Sequence, residues 1–108
     1  MTIAGGDLVF YVQLRVKRDR IDEWRRAVDE IIERMSVEDS FVACYLHQDA
    51  QDGCLFTLYE RWREPSVEAF LANQDKPYRR AYEAKLPELL QKPRDAAVLK
   101  PLGEWHKE

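Results

Sequence analysis

The side chains of this 108-residue chain whose types and spacing suit chemistry gather around one short run, Tyr59-Glu60-Arg61-Trp62. Strand alternation puts Glu60 and Trp62 on one face, and the helical residues that follow would cover it. A carboxylate beneath helices must be paired or protonated. Glu60 is therefore either a structural group tied to backbone or to Arg79 or Arg80, or an acid–base group set up by its burial. Trp62 also has two readings, a core indole whose N–H finds an acceptor or an aromatic wall for a flat substrate. Elsewhere the chemical options thin out. His47 and His106 stand alone, no His, Cys and carboxylate group has metal-ligand spacing, and only four glycines occur, two of them near the N-terminus. No metal and no phosphate-binding loop is expected.

The elements that must position Glu60 and Trp62 can be read from periodicity. Residues 8–16 form a strand with Leu8, Phe10, Val12, Leu14 and Val16 on one face and Val9, Tyr11, Gln13 and Arg15 on the other. Residues 20–35 switch to a helical period, with Ile21, Trp24, Ala27, Val28, Ile31, Ile32 and Met35 in one stripe. Strands follow at 41–48 and 54–62, with a turn centred on 49–52. That register sets Cys44 opposite Thr57 and Cys54 opposite His47, so the two thiols point to opposite faces and stay free. It also puts Val42, Cys44 and Leu46 with Leu55, Thr57 and Tyr59, and Phe41, Ala43, Tyr45 and His47 with Cys54, Phe56, Leu58, Glu60 and Trp62. Pro65 ends the third strand and suits the first turn of a short helix, 66–73. Lys76-Pro77 breaks this helix, and a second runs over 78–91, with Pro87 expected to kink it or end its longer part near Ala84. Residues 96–102 make a fourth strand.

The order strand–helix–strand–strand–helix–strand predicts an α+β fold of the ferredoxin-like, split βαβ kind, an antiparallel four-stranded sheet with helices on one face. Residues 1–7 and 103–108 flank one domain, 8–102. The helix-free face would expose Val9, Tyr11, Val42, Cys44, Leu46, Leu55 and Tyr59, a patch large enough to demand cover. A second copy packed sheet to sheet is the simplest cover, so a homodimer is expected, with Tyr11, Val42, Cys44 and Tyr59 near its centre and Trp105 packed across the interface or over the partner's sheet edge.

Composition narrows the function classes. With 45% apolar and 34% charged residues, the chain belongs among ordered globular proteins. A net charge of −3 supplies no field for nucleic acid, and no apolar run reaches membrane-spanning length. The N-terminus lacks the basic and apolar regions of a signal peptide, so a cytoplasmic location is expected.

Tyr59-Glu60-x-Trp62, followed by Glu68-Ala69-Phe70 and Asn73, resembles the signature of the antibiotic biosynthesis monooxygenase family, and the resemblance spans roughly 8–102. It implies a dimeric α/β barrel of ferredoxin-like protomers. It also implies a cofactor-independent oxygenase that binds an electron-rich phenol or quinol, helps to deprotonate it and lets the anion reduce dioxygen. Many such relatives carry histidines where this chain has Asn73 and Tyr78, so no imidazole base is available here. The residues expected to act are Glu60, Trp62, Asn73 and Tyr78, in a pocket also lined by Phe10, Phe56 and Tyr82. Haem-degrading members of the same fold pair a first-strand asparagine with a later histidine, a pattern absent here. Two other readings remain: an isomerase or small-molecule binder of the same fold, and a dimeric interaction module with a filled core.

Overall fold

The computed structural model describes residues 7–107, so the N-terminal segment on which the signal-peptide reading rests lies outside the described residues. The chain runs β1 (Leu8–Arg15), a 3-10 turn (Arg18–Arg20), α1 (Ile21–Met35), β2 (Phe41–Gln48), β3 (Leu55–Trp62), α2 (Val67–Asn73), α3 (Pro77–Leu89) and β4 (Asp95–Leu99). The four strands form one antiparallel sheet in the order β2-β3-β1-β4. This is the ferredoxin-like arrangement expected from the order of periods.

The core fills the space between one sheet face and the helices. Val12, Leu14 and Val16 from the first strand region meet Phe56, Leu58 and Trp62 of β3, and α1 adds Trp24, Val28, Ile31 and Met35. The exposed side of α1 is tied by ion pairs at helical spacing, Arg20–Glu23 and Arg25–Asp29 at 2.9 Å and Glu30–Arg34 at 3.4 Å. Such pairs add only a few tenths of a kcal/mol each, so the apolar stripe is what holds the helix.

The expected hairpin register is wrong by an odd step. His47 pairs with Thr57, Leu46 with Leu58 and Cys44 with Glu60, which turns Cys44 and Leu46 toward the helices and Tyr45 and His47 away from them. The cause is the loop between the strands. Asp49 Oδ2 accepts from the N–H groups of Gln51 and Asp52, and Asp52 Oδ1 accepts from that of Cys54. These side chains satisfy donors that a shorter turn would give to the ladder, so the loop closes late. A bulge between Phe41 and Ala43 restores parity, so Phe41 still lies beside Trp62. Cys54 is consequently not opposite His47, and Cys44 and Leu46 do not join Tyr11 and Tyr59 on one apolar face, while Val42 falls in the bulge and is exposed. Both cysteines are free thiols.

Helix ends also differ from expectation. Pro65 stays outside α2, whose N-cap is Ser66, its hydroxyl accepting from Ala69 N–H at 3.1 Å. Pro77 is the first residue of α3, where its missing N–H costs nothing. Pro87 neither ends the helix near Ala84 nor prevents a last turn. A helical proline costs about 3 kcal/mol, and burying a leucine returns about 1.5–3 kcal/mol. Leu86 and Leu89, both buried in that last turn, decide the outcome.

Candidate active site

Glu60 sits on β3 opposite Phe10 of β1 and Cys44 of β2, and is only 5% exposed. Trp62, two residues on and fully buried, donates its indole N–H to Glu60 Oε1 at 3.1 Å. The indole is held edge-on by Phe41 and Phe70, with ring centroids 5.2 and 5.0 Å away. Trp62 thus fixes one oxygen of the carboxylate. The other makes no hydrogen bond among the described residues, and neither Arg79 nor Arg80 pairs with Glu60. Arg79 lies 3.5 Å from Glu83, and Arg80 pairs with Asp75.

Glu60 lines a cavity of about 160 Å³ between the sheet and all three helices. Phe10, Val12, Leu58 and Ala96 supply its sheet side, Ile31, Ile32 and Met35 come from α1, and Val67, Phe70 and Leu71 from α2. Phe10 and Phe70 are in ring contact, with centroids 4.8 Å apart. Against this apolar lining stand four polar side chains, Glu60, Arg79, Tyr82 and Arg94. Tyr82 accepts the indole N–H of Trp24 at 3.3 Å, and burial pushes its phenol up to about 12 even though that bond and the nearby Arg94 pull it down. Tyr82 is therefore a neutral donor at ordinary pH. Arg94 donates to Glu83 Oε1 at 2.7 Å. Burial alone would lower its pKa, but the bond to Glu83 and that carboxylate's charge outweigh burial and leave it raised.

Of the seven residues expected from sequence, the cavity brings together Phe10, Glu60 and Tyr82. Phe56 is a core residue against Trp24, 4.6 Å between ring centroids, and Trp62 lies behind the cavity wall, meeting it through Glu60 and Phe70. Asn73 is exposed and donates to Glu64 Oε2 at 2.8 Å. Tyr78 bonds Glu38, which also accepts from Gln74 at 2.8 Å and from Lys76. Asn73 and Tyr78 therefore tie the α2–α3 junction to neighbouring segments and do not line the cavity. Arg94 was missed, because nothing in Pro93-Arg94-Asp95 marks it until β4 is laid beside β1. Arg79 was read only as a partner for Glu60. Its spacing of three and four residues from Tyr82 and Glu83 is the signal that places all three on one side of α3.

No helix among the described residues is long and apolar enough to cross a membrane, and no group of three or more His, Cys, Asp or Glu among them is placed to hold a metal ion.

The architecture is shared widely. Rv0793 from Mycobacterium tuberculosis is 28% identical and superposes with a TM-score of 0.80 over 91% of this chain and 97% of its own. A protein of Nitrosomonas europaea that bears the name antibiotic biosynthesis monooxygenase is 19% identical, with a TM-score of 0.79 over 92% of this chain and 93% of its own. A conserved protein from Methanosarcina mazei Go1 is 15% identical, with a TM-score of 0.78 over 87% and 91%. No curated protein matches the chain. The family model described as antibiotic biosynthesis monooxygenase matches residues 8–85. That match takes in β1, α1, β2, β3, α2 and most of α3, well over half of the sequence, and the chain belongs to the antibiotic biosynthesis monooxygenase family.

Proposed function

We propose that this protein is a cofactor-independent monooxygenase that oxidises a small phenol or quinol in the cavity beside Glu60. The observation that carries this reading is a carboxylate 5% exposed in an apolar cavity, one oxygen held by Trp62 and the other left for a ligand. Glu60 accepts the phenolic proton, and the ring anion then gives its electrons to dioxygen. For a simple phenol the balance is phenol plus O2 to quinone plus water, one oxygen atom entering the ring and the other leaving as water. The substrate supplies every electron, which is why no cofactor is required. Trp62 acts as a positioning residue through Glu60, and Tyr82 as a neutral hydrogen-bond donor to the substrate oxygen. Two free thiols suit a reducing compartment, and we place the protein in the cytoplasm.

The test is oxygen uptake with a panel of phenols and hydroquinones, with and without added metal, against buffer alone. Wild-type protein should accelerate uptake for at least one compound. Glu60→Gln, which keeps the shape and accepts the indole bond, should lower turnover by about two to four orders of magnitude while circular dichroism stays native. Equal rates for protein and buffer across the panel would remove the oxygenase reading. The same carboxylate can shuttle a proton in an isomerisation, and that reading replaces it if ligands bind without oxygen uptake.

A further inference from the structure

We propose that the ligand is a one-ring aromatic acid with a phenolic hydroxyl, its carboxylate taken by Arg94 and Arg79 and its hydroxyl presented to Glu60. This names a substrate class for the site described above and rests on that reading of Glu60.

Volume sets the ring count. A cavity of roughly 150 Å³ holds one benzene ring, and this one measures about 160 Å³. One ring occupies most of this volume, so it lies within the same walls as all four polar side chains. Two of those four are guanidinium groups, each with five N–H donors. Their partners are few. Glu83 Oε1 takes Arg94 at 2.7 Å and stands 3.5 Å from Arg79, and Arg79 otherwise meets Met35 Sδ at 3.2 Å and lies over the Phe70 ring at 5.9 Å. One carboxylate oxygen thus serves two cations whose side chains are only 32% and 19% exposed. The remaining donors are open to the cavity and its mouth, and a planar carboxylate there can answer several at once with charge-assisted bonds.

Position sets which end of the ligand is acidic. Arg94 also lines an open groove of about 460 Å³ on its outer side, together with Glu83, Leu86, Pro87 and Pro93. It therefore stands at the boundary between cavity and groove, while Glu60 and Tyr82 are almost fully enclosed. The ring goes inward with its hydroxyl at Glu60, and the carboxylate stays at the boundary. There it competes with Glu83 for Arg94.

Isothermal titration with 4-hydroxybenzoate, its neutral amide 4-hydroxybenzamide and the two-ring 6-hydroxy-2-naphthoate tests this. The acid should bind at least about tenfold more tightly than the amide, the scale of a charge-assisted bidentate contact. Arg94→Met should bring the acid to the level of the amide. Glu83→Gln removes the competing charge and should tighten acid binding several-fold with little change for the amide. That gain cannot come from damaged folding, so it keeps the test decisive if Arg94→Met is unstable. The naphthoate should not bind. Acid no tighter than amide (both failing to bind included), weaker acid binding in Glu83→Gln, or tight naphthoate binding would each overturn the proposal. If neutral phenols consume oxygen but the acid gains nothing, this inference falls and the oxygenase reading stands. If the acid binds as described without oxygen uptake, the reverse holds.

Discussion

Cys44 faces Glu60 across the β2–β3 ladder, on the side of the sheet that packs against the helices. Glu60 Oε1 accepts the indole N–H of Trp62. Cys44 has no such donor among the described residues, and burial, with the Glu60 charge as a smaller second cause, pushes its thiol up to about 12. Cysteine reactivity follows the thiolate, so a shift from 9.0 to about 12 leaves roughly a thousandfold less of it. Iodoacetamide at pH 8 should therefore label Cys44 slowly in native protein and rapidly in urea, as read by mass spectrometry. Glu60→Gln should speed native labelling modestly, because it removes the lesser of the two causes. Rapid native labelling would contradict the burial of this face and reopen Cys44 as a nucleophile.

The β2–β3 loop is the element that sets which side chains reach the site. Its aspartates close it through backbone N–H groups, and Asp52 also pairs with Arg15 of β1 at 2.8 Å. The N–H of Cys54, then the Arg15 bond, holds the Asp52 carboxyl below its ordinary range. A carboxyl depressed in the folded state stabilises fully above its unfolded pKa, about 3.9, and stops doing so as pH falls through the lower folded value. Asp52→Ala should therefore lower the urea midpoint at pH 7 and pH 5, and the gap from wild type should narrow below about pH 4 as the wild type loses the same charge. A gap independent of pH would mean that the loop is held by backbone geometry alone.

At the scale of the whole molecule, the helix-free face gives up Cys44 and Leu46 to the core but keeps an apolar surface that includes the 40% exposed Leu99. Cys44 and Leu46 pack on the core, and the face carries Tyr11, Leu55, Tyr59 and the 56% exposed Tyr45. Arg61 crosses it, donating to the Tyr59 hydroxyl at 2.9 Å and pairing with Glu104 of the C-terminal segment. We propose that a second copy covers this face, with Tyr11, Tyr45 and Tyr59 near the centre and the 72% exposed Trp105 packing against the partner. Sedimentation at micromolar concentration should give a dimer. Tyr45→Asp, at an exposed position, should dissociate it and lower thermal stability together, and truncation after Gly103 should weaken it. A wild-type monomer under these conditions would exclude this assembly.

What the chain determined by itself is the order of its periods, and with it the fold. The α1 stripe, the alternation in β1 and β3 and the Pro77 break are local signals, each set by residues within a few positions of one another. Glu60 and Trp62 were legible for the same reason, since a strand of period two must put them on one face. Tertiary structure decided everything that depends on pairing between distant segments. The register of β2 turned on two aspartate side chains and a bulge, an odd step that no pattern within β2 reveals, because both its faces are apolar enough to be buried. Asn73 and Tyr78 found carboxylate partners in Glu64 and Glu38, and those contacts drew them away from the cavity. Arg94 entered the site only because β4 returns beside β1. Local periodicity is carried by neighbouring residues, whereas the chemistry of a cavity is carried by residues that meet only when the sheet closes.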